Sequence, residues 1–283
     1  MIHIMDTITT VDEMSAASLA AIRAGRTVGF VPTMGYLHEG HLSLARAARV
    51  ENDIVVASIF VNPTQFGPHE DLARYPHDIA GDTEKLISEG VDILFAPSAA
   101  EMYPPGSRTF VEVDGLSGLL CGESRPGHFK GVATVVAKLF NIVRPTRAYF
   151  GAKDYQQTVV IRRMAADLRT GVDVEVLPTV RETDGLAMSS RNSYLKPAER
   201  KAAAGVYRAL SAAVALRNAG VTDAGRLKDE ALRALGAEPT VAVEYVSVVH
   251  PEDLTMLDDV SSGAVMAVAV RVGGTRLIDN IAL

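Results

Sequence analysis

An α/β chain is predicted: a parallel sheet with helices on both faces, followed by a smaller C-terminal α+β domain. Three observations carry this reading. Short apolar, β-rich runs alternate with helical periodicity as far as about Pro178, the pattern of a parallel sheet covered on both sides. The segments richest in glycine, histidine and glutamine begin just after predicted strands, at Pro32, Asn62 and Gly151. Ligands of such folds sit at the carboxyl ends of the strands. Beyond Pro178 the order changes to two helices and an antiparallel hairpin.

Thr10-Val-Asp-Glu13 has the form of a capping box, and the helix it opens runs to Gly25. Thr27–Val31 reads as a buried strand closed by Pro32, and a helix opens near Gly40 and runs to Glu51. Asp53–Val61 is a central strand, Asp82–Glu89 a helix and Val91–Phe95 the next strand. Val132–Val143 is helical, Ala148–Phe150 a short strand, Asp154–Leu168 helical and Val172–Leu177 a strand. Pro197 starts a long helix through Ala219, and Asp223 caps another that ends near Leu235. Val241–Val249 is a strand, and Gly273-Gly274 joins Ala264–Val272 to Thr275–Asp279 as a hairpin.

The 283 residues suit one and a half to two domains, and 48% hydrophobic residues allow a sizeable core. A net charge of −6 argues against a nucleic-acid partner, because phosphate backbones need a basic field. The single cysteine, Cys121, excludes an intramolecular disulfide framework and reads as a buried or tolerated thiol. The N-terminus lacks the parts of a signal peptide, and no apolar run spans a bilayer. A soluble cytoplasmic protein without a membrane partner is expected.

In Pro32-Thr-Met-Gly-Tyr-Leu-His-Glu-Gly-His41 a strand passes through a turn into a helix. Gly35 and Gly40 permit close backbone approach, and the new helix turns N–H groups and a positive dipole end toward an anion. Phosphate is the natural guest. His38 and His41, three apart, can share one side and donate to phosphate oxygens as charge grows on leaving pyrophosphate. A zinc hydrolase needs four-residue His-Glu-x-x-His spacing, and this segment is one residue short.

Other segments carry matching chemistry. Gln65, in Asn62-Pro-Thr-Gln-Phe66, offers an uncharged amide, suited to a carboxylate that must stay nucleophilic. Ser124-Arg-Pro-Gly-His-Phe-Lys-Gly131 combines cations and glycines before a helix, as an anion-facing or mobile loop would. Lys153, in Phe150-Gly-Ala-Lys-Asp-Tyr-Gln-Gln157, is a cation at a helix start, a placement an anion would explain. Met188-Ser-Ser-Arg191 joins hydroxyls to a guanidinium, as a triphosphate site would.

These five segments, in order and in register, resemble the pantothenate synthetase family. That family belongs to the His-x-Gly-His nucleotidylyltransferase and class I aminoacyl-tRNA synthetase superfamily. The resemblance implies a Rossmann-like nucleotide- and pantoate-binding domain over residues 1–179 and an α+β lid over 180–283. It implies condensation of (R)-pantoate with β-alanine, using ATP and Mg²⁺, through pantoyl-adenylate, with release of AMP and pyrophosphate. By resemblance, ATP contacts Met34, Gly35, Tyr36, Leu37, His38, Glu39, Gly40 and His41, then Gly151, Ala152, Lys153 and Asp154, then Val180 and Met188, Ser189, Ser190 and Arg191. Gln65 and Gln157 contact pantoate, with Gln65 near the β-alanine site, and Asp82 is the magnesium-associated carboxylate. His41, His38, Lys153 and Arg191 form the catalytic set, with His41 the proton donor. A homodimer is implied. His77 and Ala152 stand where the family has arginine and glutamate, so neither side chain is given a role. An adenylyltransferase of the same superfamily, acting on a phosphate acceptor, is the alternative.

Overall fold

A computed structural model describes residues 4–68 and 70–283. Residues 1–3 of the N-terminal segment discussed above lie outside them. The described chain forms two compact units. The first comprises the described residues up to 118, with 122–152 and 160–178, and the second residues 119–121, 153–159 and 179–283.

The first unit holds strands β1 (Asp6–Ile8), β2 (Val28–Thr33), β3 (Ile54–Ile59), β4 (Ile93–Phe95), β5 (Arg147–Gly151) and β6 (Asp173–Leu177). Helices α1 (Val11–Arg23), α2 (Glu39–Glu51), α3 (Ile79–Ser88), α4 (Ala99–Met102), α5 (Cys121–Ser124), α6 (His128–Val143) and α7 (Tyr155–Asp167) occur along the same stretch of chain. The strands form one parallel sheet in the order β1-β4-β3-β2-β5-β6. The expected parallel sheet flanked by helices is therefore present. β1 was not foreseen. Three residues of Asp-Thr-Ile at a sheet edge, two of them exposed, carry too little periodicity to read.

Strand order reverses beside β2. The chain runs outward from β2 through β3 to β4, then returns to place β5 on the other side of β2. Such a reversal opens a crevice at the strand ends. Here β2 and β5 pair only at Gly29↔Arg147 and Phe30↔Ala148. Each then runs on unpaired with the other, β2 to Thr33 and β5 to Gly151.

Pro32 gives this parting a cause. It lies inside β2 rather than after it, opposite Ser58 of β3. Alternate residues of a strand face opposite neighbours. The Val28 carbonyl accepts from Thr146 on the β5 side, and the Thr33 carbonyl accepts from Phe60 on the β3 side. Pro32 shares the phase of Val28, so its missing N–H faces β5.

Phe30, Phe95 and Met14 are fully buried, each stabilising by about 1.5–3 kcal/mol relative to exposure. Helix α6 is buried along most of its length. Helix α3 starts one turn earlier than expected because Asp78 caps it through the Gly81 N–H, so Asp82 stands inside its first turn.

The second unit contains α8 (Pro197–Ala203), α9 (Gly205–Asn218) and α10 (Ala224–Leu235), with strands β7 (Val241–Val249), β8 (Val265–Val272) and β9 (Thr275–Ala282). The strands form an antiparallel sheet in that order. Gly273 takes φ +57 in the expected hairpin turn. Leu210, Leu227, Met266, Val268 and Val270 build its core. The single helix expected from Pro197 to Ala219 is divided at Ala204. Gly205 there leaves room for the Glu238 side chain, whose Cγ lies 2.8 Å from where a Cβ would stand. Among the described residues no helix is long and apolar enough to cross a membrane.

Candidate active site

The turn that follows β2 is held by hydrogen bonds to backbone. Thr33 Oγ1 donates to the Ser58 carbonyl at 2.7 Å and accepts from the Gly35 N–H at 3.1 Å. Gly35 (φ +83) and Tyr36 (φ +53) are both left-handed, a conformation that costs a side-chain-bearing residue free energy. Asp82 offsets it. Its carboxylate accepts from the Tyr36 N–H at 2.6 Å and the Leu37 N–H at 2.7 Å. Lys85 ties the next carbonyl, that of Leu37, at 2.9 Å.

His38 caps α2. Its Nδ1 accepts from the Gly40 N–H at 3.2 Å, while His41 Nδ1 accepts from the His38 N–H at 3.3 Å. With both Nδ1 atoms accepting, the proton of each neutral ring sits on Nε2. The ring centroids are 4.1 Å apart. A Cβ at residue 40 would lie 2.9 Å from the His38 ring, so Gly40 is the space that ring occupies. Not every side chain of this stretch faces a ligand. Leu37 belongs to the core, and Glu39 pairs with Arg46.

Gln65 ends a short 3-10 turn, Pro63–Gln65, capped by Asn62. Its Oε1 accepts from Asn62 Nδ2 at 3.0 Å, and its Nε2 faces Met34 Sδ at 3.2 Å. The Gln65 carbonyl lies 2.8 Å from His128 Nδ1 and accepts from Arg125 Nη2 at 3.2 Å. Helix α6 passes so close that a Cβ on Gly131 would stand 2.3 Å from the Thr64 carbonyl oxygen. Arg125, one of the cations of the loop before α6, is paired bidentately with Glu70 at 2.6 Å through Nε and Nη2. Burial raises the Glu70 carboxyl, but the hydrogen bonds and charge of Arg125 outweigh it and hold the group below its usual range.

The first unit thus brings together the Met34–His41 turn, Gln65 and Asp82. Gly151, at the end of β5, has no atom of the described residues beyond its chain neighbours within 4 Å of where a Cβ would stand, so backbone there is approachable. Ala152 lies in the short turn that follows.

Lys153, Asp154 and Gln157 belong to the second unit, with Val180 and Met188–Arg191. Lys153 Nζ lies 3.5 Å from Asp154 Oδ1, and the Lys153 carbonyl accepts from Asn280 Nδ2 of β9 at 2.9 Å. Arg181 donates to Asp279 of β9 at 2.6 and 3.0 Å. Val180 accepts from the Met188 N–H at 3.0 Å and so closes the loop between them. Ser189 Oγ caps the 3-10 turn Ser190–Tyr194 through the Arg191 N–H, and Asn192 ties that turn to the Ala187 carbonyl. Strand β9 therefore fixes both the lysine and the arginine that opens the serine loop. Of the two neighbouring glutamines, Gln156 is structural. It bonds the Leu119 carbonyl and the Cys121 N–H, which leaves Gln157 as the half-buried candidate.

Sequence reading overlooked Asn62, Asp279 and Asn280. Asn62 was visible only as part of a motif, Asp279 only as the end of the expected strand, and Asn280 lay one residue beyond it. Cys121 is buried as expected, with Tyr245 at 3.1 Å and Arg276 at 3.5 Å from its Sγ.

Magnesium finds little purchase at Asp82. That carboxylate is 1% exposed, accepts two backbone N–H groups and faces Lys85 Nζ at 3.8 Å. No group of three or more His, Cys, Asp or Glu among the described residues is arranged to hold a metal. Asp82 does not fit a direct Mg²⁺ ligand, which would compete with those donors and with the lysine charge.

The family model described as pantoate-beta-alanine ligase matches residues 6–282. The pantothenate synthetase of Moorella thermoacetica is 52% identical over 279 residues, covering 99% of both chains. That of Roseiflexus castenholzii is 56% identical over 279 residues with the same coverage. The crystal structure of pantothenate synthetase from Thermus thermophilus superposes with a TM-score of 0.93 at 52% identity, covering 98% of this chain and 99% of that one. Pantoate-beta-alanine ligase from Francisella tularensis, complexed with beta-gamma ATP and beta-alanine, superposes with a TM-score of 0.81 at 34% identity, covering 98% and 97%.

Proposed function

The chain belongs to the pantoate–beta-alanine ligase family, and on that premise we propose how its residues condense (R)-pantoate with β-alanine at the expense of ATP. The pantoate carboxylate attacks the α-phosphorus, a new O–P bond forms, and pyrophosphate leaves with the electrons of the broken one. The β-alanine amine then attacks the acyl carbon of pantoyl-adenylate, and AMP leaves. Adenylation turns a poor leaving group into a good one.

The observation that carries the assignment of roles is the reciprocally capped His38–His41 turn beside the β2–β5 crevice. Its backbone fixes two Nε2–H donors, and fixed donors need no reorganisation as charge develops on departing phosphate. His41 is assigned as proton donor, with His38, Lys153 and Arg191 stabilising the same charge. The Met34–His41 turn, Gly151–Asp154, Val180 and Met188–Arg191 contact ATP. Gln65 and Gln157 hold pantoate without drawing off the carboxylate's charge.

Mg²⁺ is proposed to enter with ATP, held by phosphate oxygens and water, where it neutralises phosphate charge; no step is assigned through Asp82 to a metal. The second unit, residues 180–283 in the main, is proposed as a lid that keeps water from the mixed anhydride. A homodimer and a cytoplasmic location complete the reading. Sedimentation and fractionation test those two.

The decisive experiment is exchange of labelled pyrophosphate into ATP without β-alanine. Exchange that depends on pantoate is the expected result. Absence of exchange in enzyme that still makes pantothenate would remove the released-pyrophosphate step. A product that retains AMP in a phosphate ester would favour the adenylyltransferase alternative.

A further inference from the structure

Resting on the assignment of Gln65 to pantoate, we propose that Asn62 is a positioning residue that sets the polarity of the Gln65 amide. The substrate is then met by an N–H donor and not by a carbonyl oxygen.

A terminal amide fits its cavity in either of two orientations, and only partners of fixed polarity choose between them. Asn62 has two such partners. Its Oδ1 accepts from the Thr64 backbone N–H at 3.3 Å, and its Nδ2 donates to the Gly131 backbone carbonyl at 3.2 Å. An N–H cannot accept and a carbonyl cannot donate, so the Asn62 amide has one orientation. The hydroxyls of Thr64 and Tyr103, each 2.9 Å from Oδ1, turn to suit it. Asn62 is 1% exposed, so water offers no escape from this arrangement.

The fixed orientation propagates. Asn62 Nδ2 points a proton at Gln65, and only Oε1 of that amide can receive it, at 3.0 Å. The Gln65 NH₂ must then lie on the opposite side, where it meets Met34 Sδ at 3.2 Å. A thioether is a weak acceptor, so this donor keeps most of its capacity for a stronger partner. A carboxylate, all acceptor, is the chemistry it suits. The thioether belongs to the same turn that carries the two histidines. Backbone groups of two distant segments, residues 64 and 131, thereby dictate which face of a neutral side chain the acid meets.

Steady-state kinetics on three variants separate this inference from the reading beneath it. Gln65→Leu removes the amide altogether; a pantoate KM equal to wild type there would dismiss Gln65 as a pantoate contact, whatever Asn62 does. With that contact established, Asn62→Asp puts an acceptor where Nδ2 stood and turns the Gln65 amide around. Pantoate KM is expected to rise about tenfold or more, the scale of a lost hydrogen bond to a charged group, with ATP KM unchanged. An unchanged pantoate KM, or equal rises in both, overturns the proposal. Should Asn62→Asp not fold, Gln65→Glu decides. It keeps an acceptor for Asn62 and places an oxygen where the NH₂ was, so pantoate KM should exceed that of Gln65→Leu. Pantoate use at the wild-type level by Gln65→Glu overturns it.

Discussion

His38 and His41 hold each other's place: the backbone N–H of the first is capped by Nδ1 of the second at 3.3 Å, with the rings 4.1 Å apart. In the proposed mechanism capping and catalysis use opposite nitrogens of the same imidazole, and substitution can part them. His41→Ala is expected to lower kcat by a factor on the order of 10² or more and to cost about 1 kcal/mol of stability through the lost cap. His41→Asn restores an acceptor near the Nδ1 position without a donor at Nε2. It should recover thermal stability and leave kcat low. Recovery of turnover by His41→Asn would return the residue to a purely structural role.

Asp82 offers a second separation. Asp82→Asn replaces one of two acceptors with a donor facing a backbone N–H, at a cost on the order of 1–3 kcal/mol. ATP KM should rise as the turn loosens, while the Mg²⁺ concentration for half-maximal rate at saturating ATP stays the same. A large shift in that Mg²⁺ requirement would make Asp82 a metal ligand after all.

Gly131→Ala should strain the Gln65 turn directly, because the added Cβ meets a carbonyl oxygen at 2.3 Å. Backbone on one side or the other must move, an overpacking penalty of about 1–3 kcal/mol. Denaturant unfolding measures the loss, and pantoate KM should rise with it. Wild-type stability would mean that α6 can withdraw freely.

The Arg125–Glu70 pair predicts an acid-sensitive brace. Glu70 titrates below its ordinary 4.5, so its stabilising contribution is whole above that value and fades as pH falls through the depressed one. The stability difference between wild type and Glu70→Gln should be present at neutral pH and vanish in acid. A difference independent of pH would assign the effect to packing.

Much of this was legible in the sequence. The alternation of strands and helices, the hairpin at Gly273-Gly274 and the turn before α2 follow from local patterns. Those patterns are short-range, and reading stopped where partners are distant. Nothing in Ser124–Gly131 announced that Arg125 would be claimed by Glu70, 55 positions away. Asp82 invited a metal role because helix-start carboxylates and metal ligands look alike in one dimension. Its engagement with Tyr36 and Leu37 depends on how α3 lies beneath the turn. The division at Ala204 was hidden because alanine-rich sequence favours helix on both sides of Gly205.

Pro32 reaches further than the two strands it separates. Loops are the parts of a chain most easily lengthened, trimmed or exchanged, and a site built only by loops would be at their mercy. Here the cleft is guarded by a ring closure on a single nitrogen, which withholds from β5 one donor the ladder would need. Insertions in the turn after β2 could reshape what enters the cleft, yet they could not zip it shut. A designer wishing to change the acid accepted by this scaffold has more freedom in those loops than at that one imino acid.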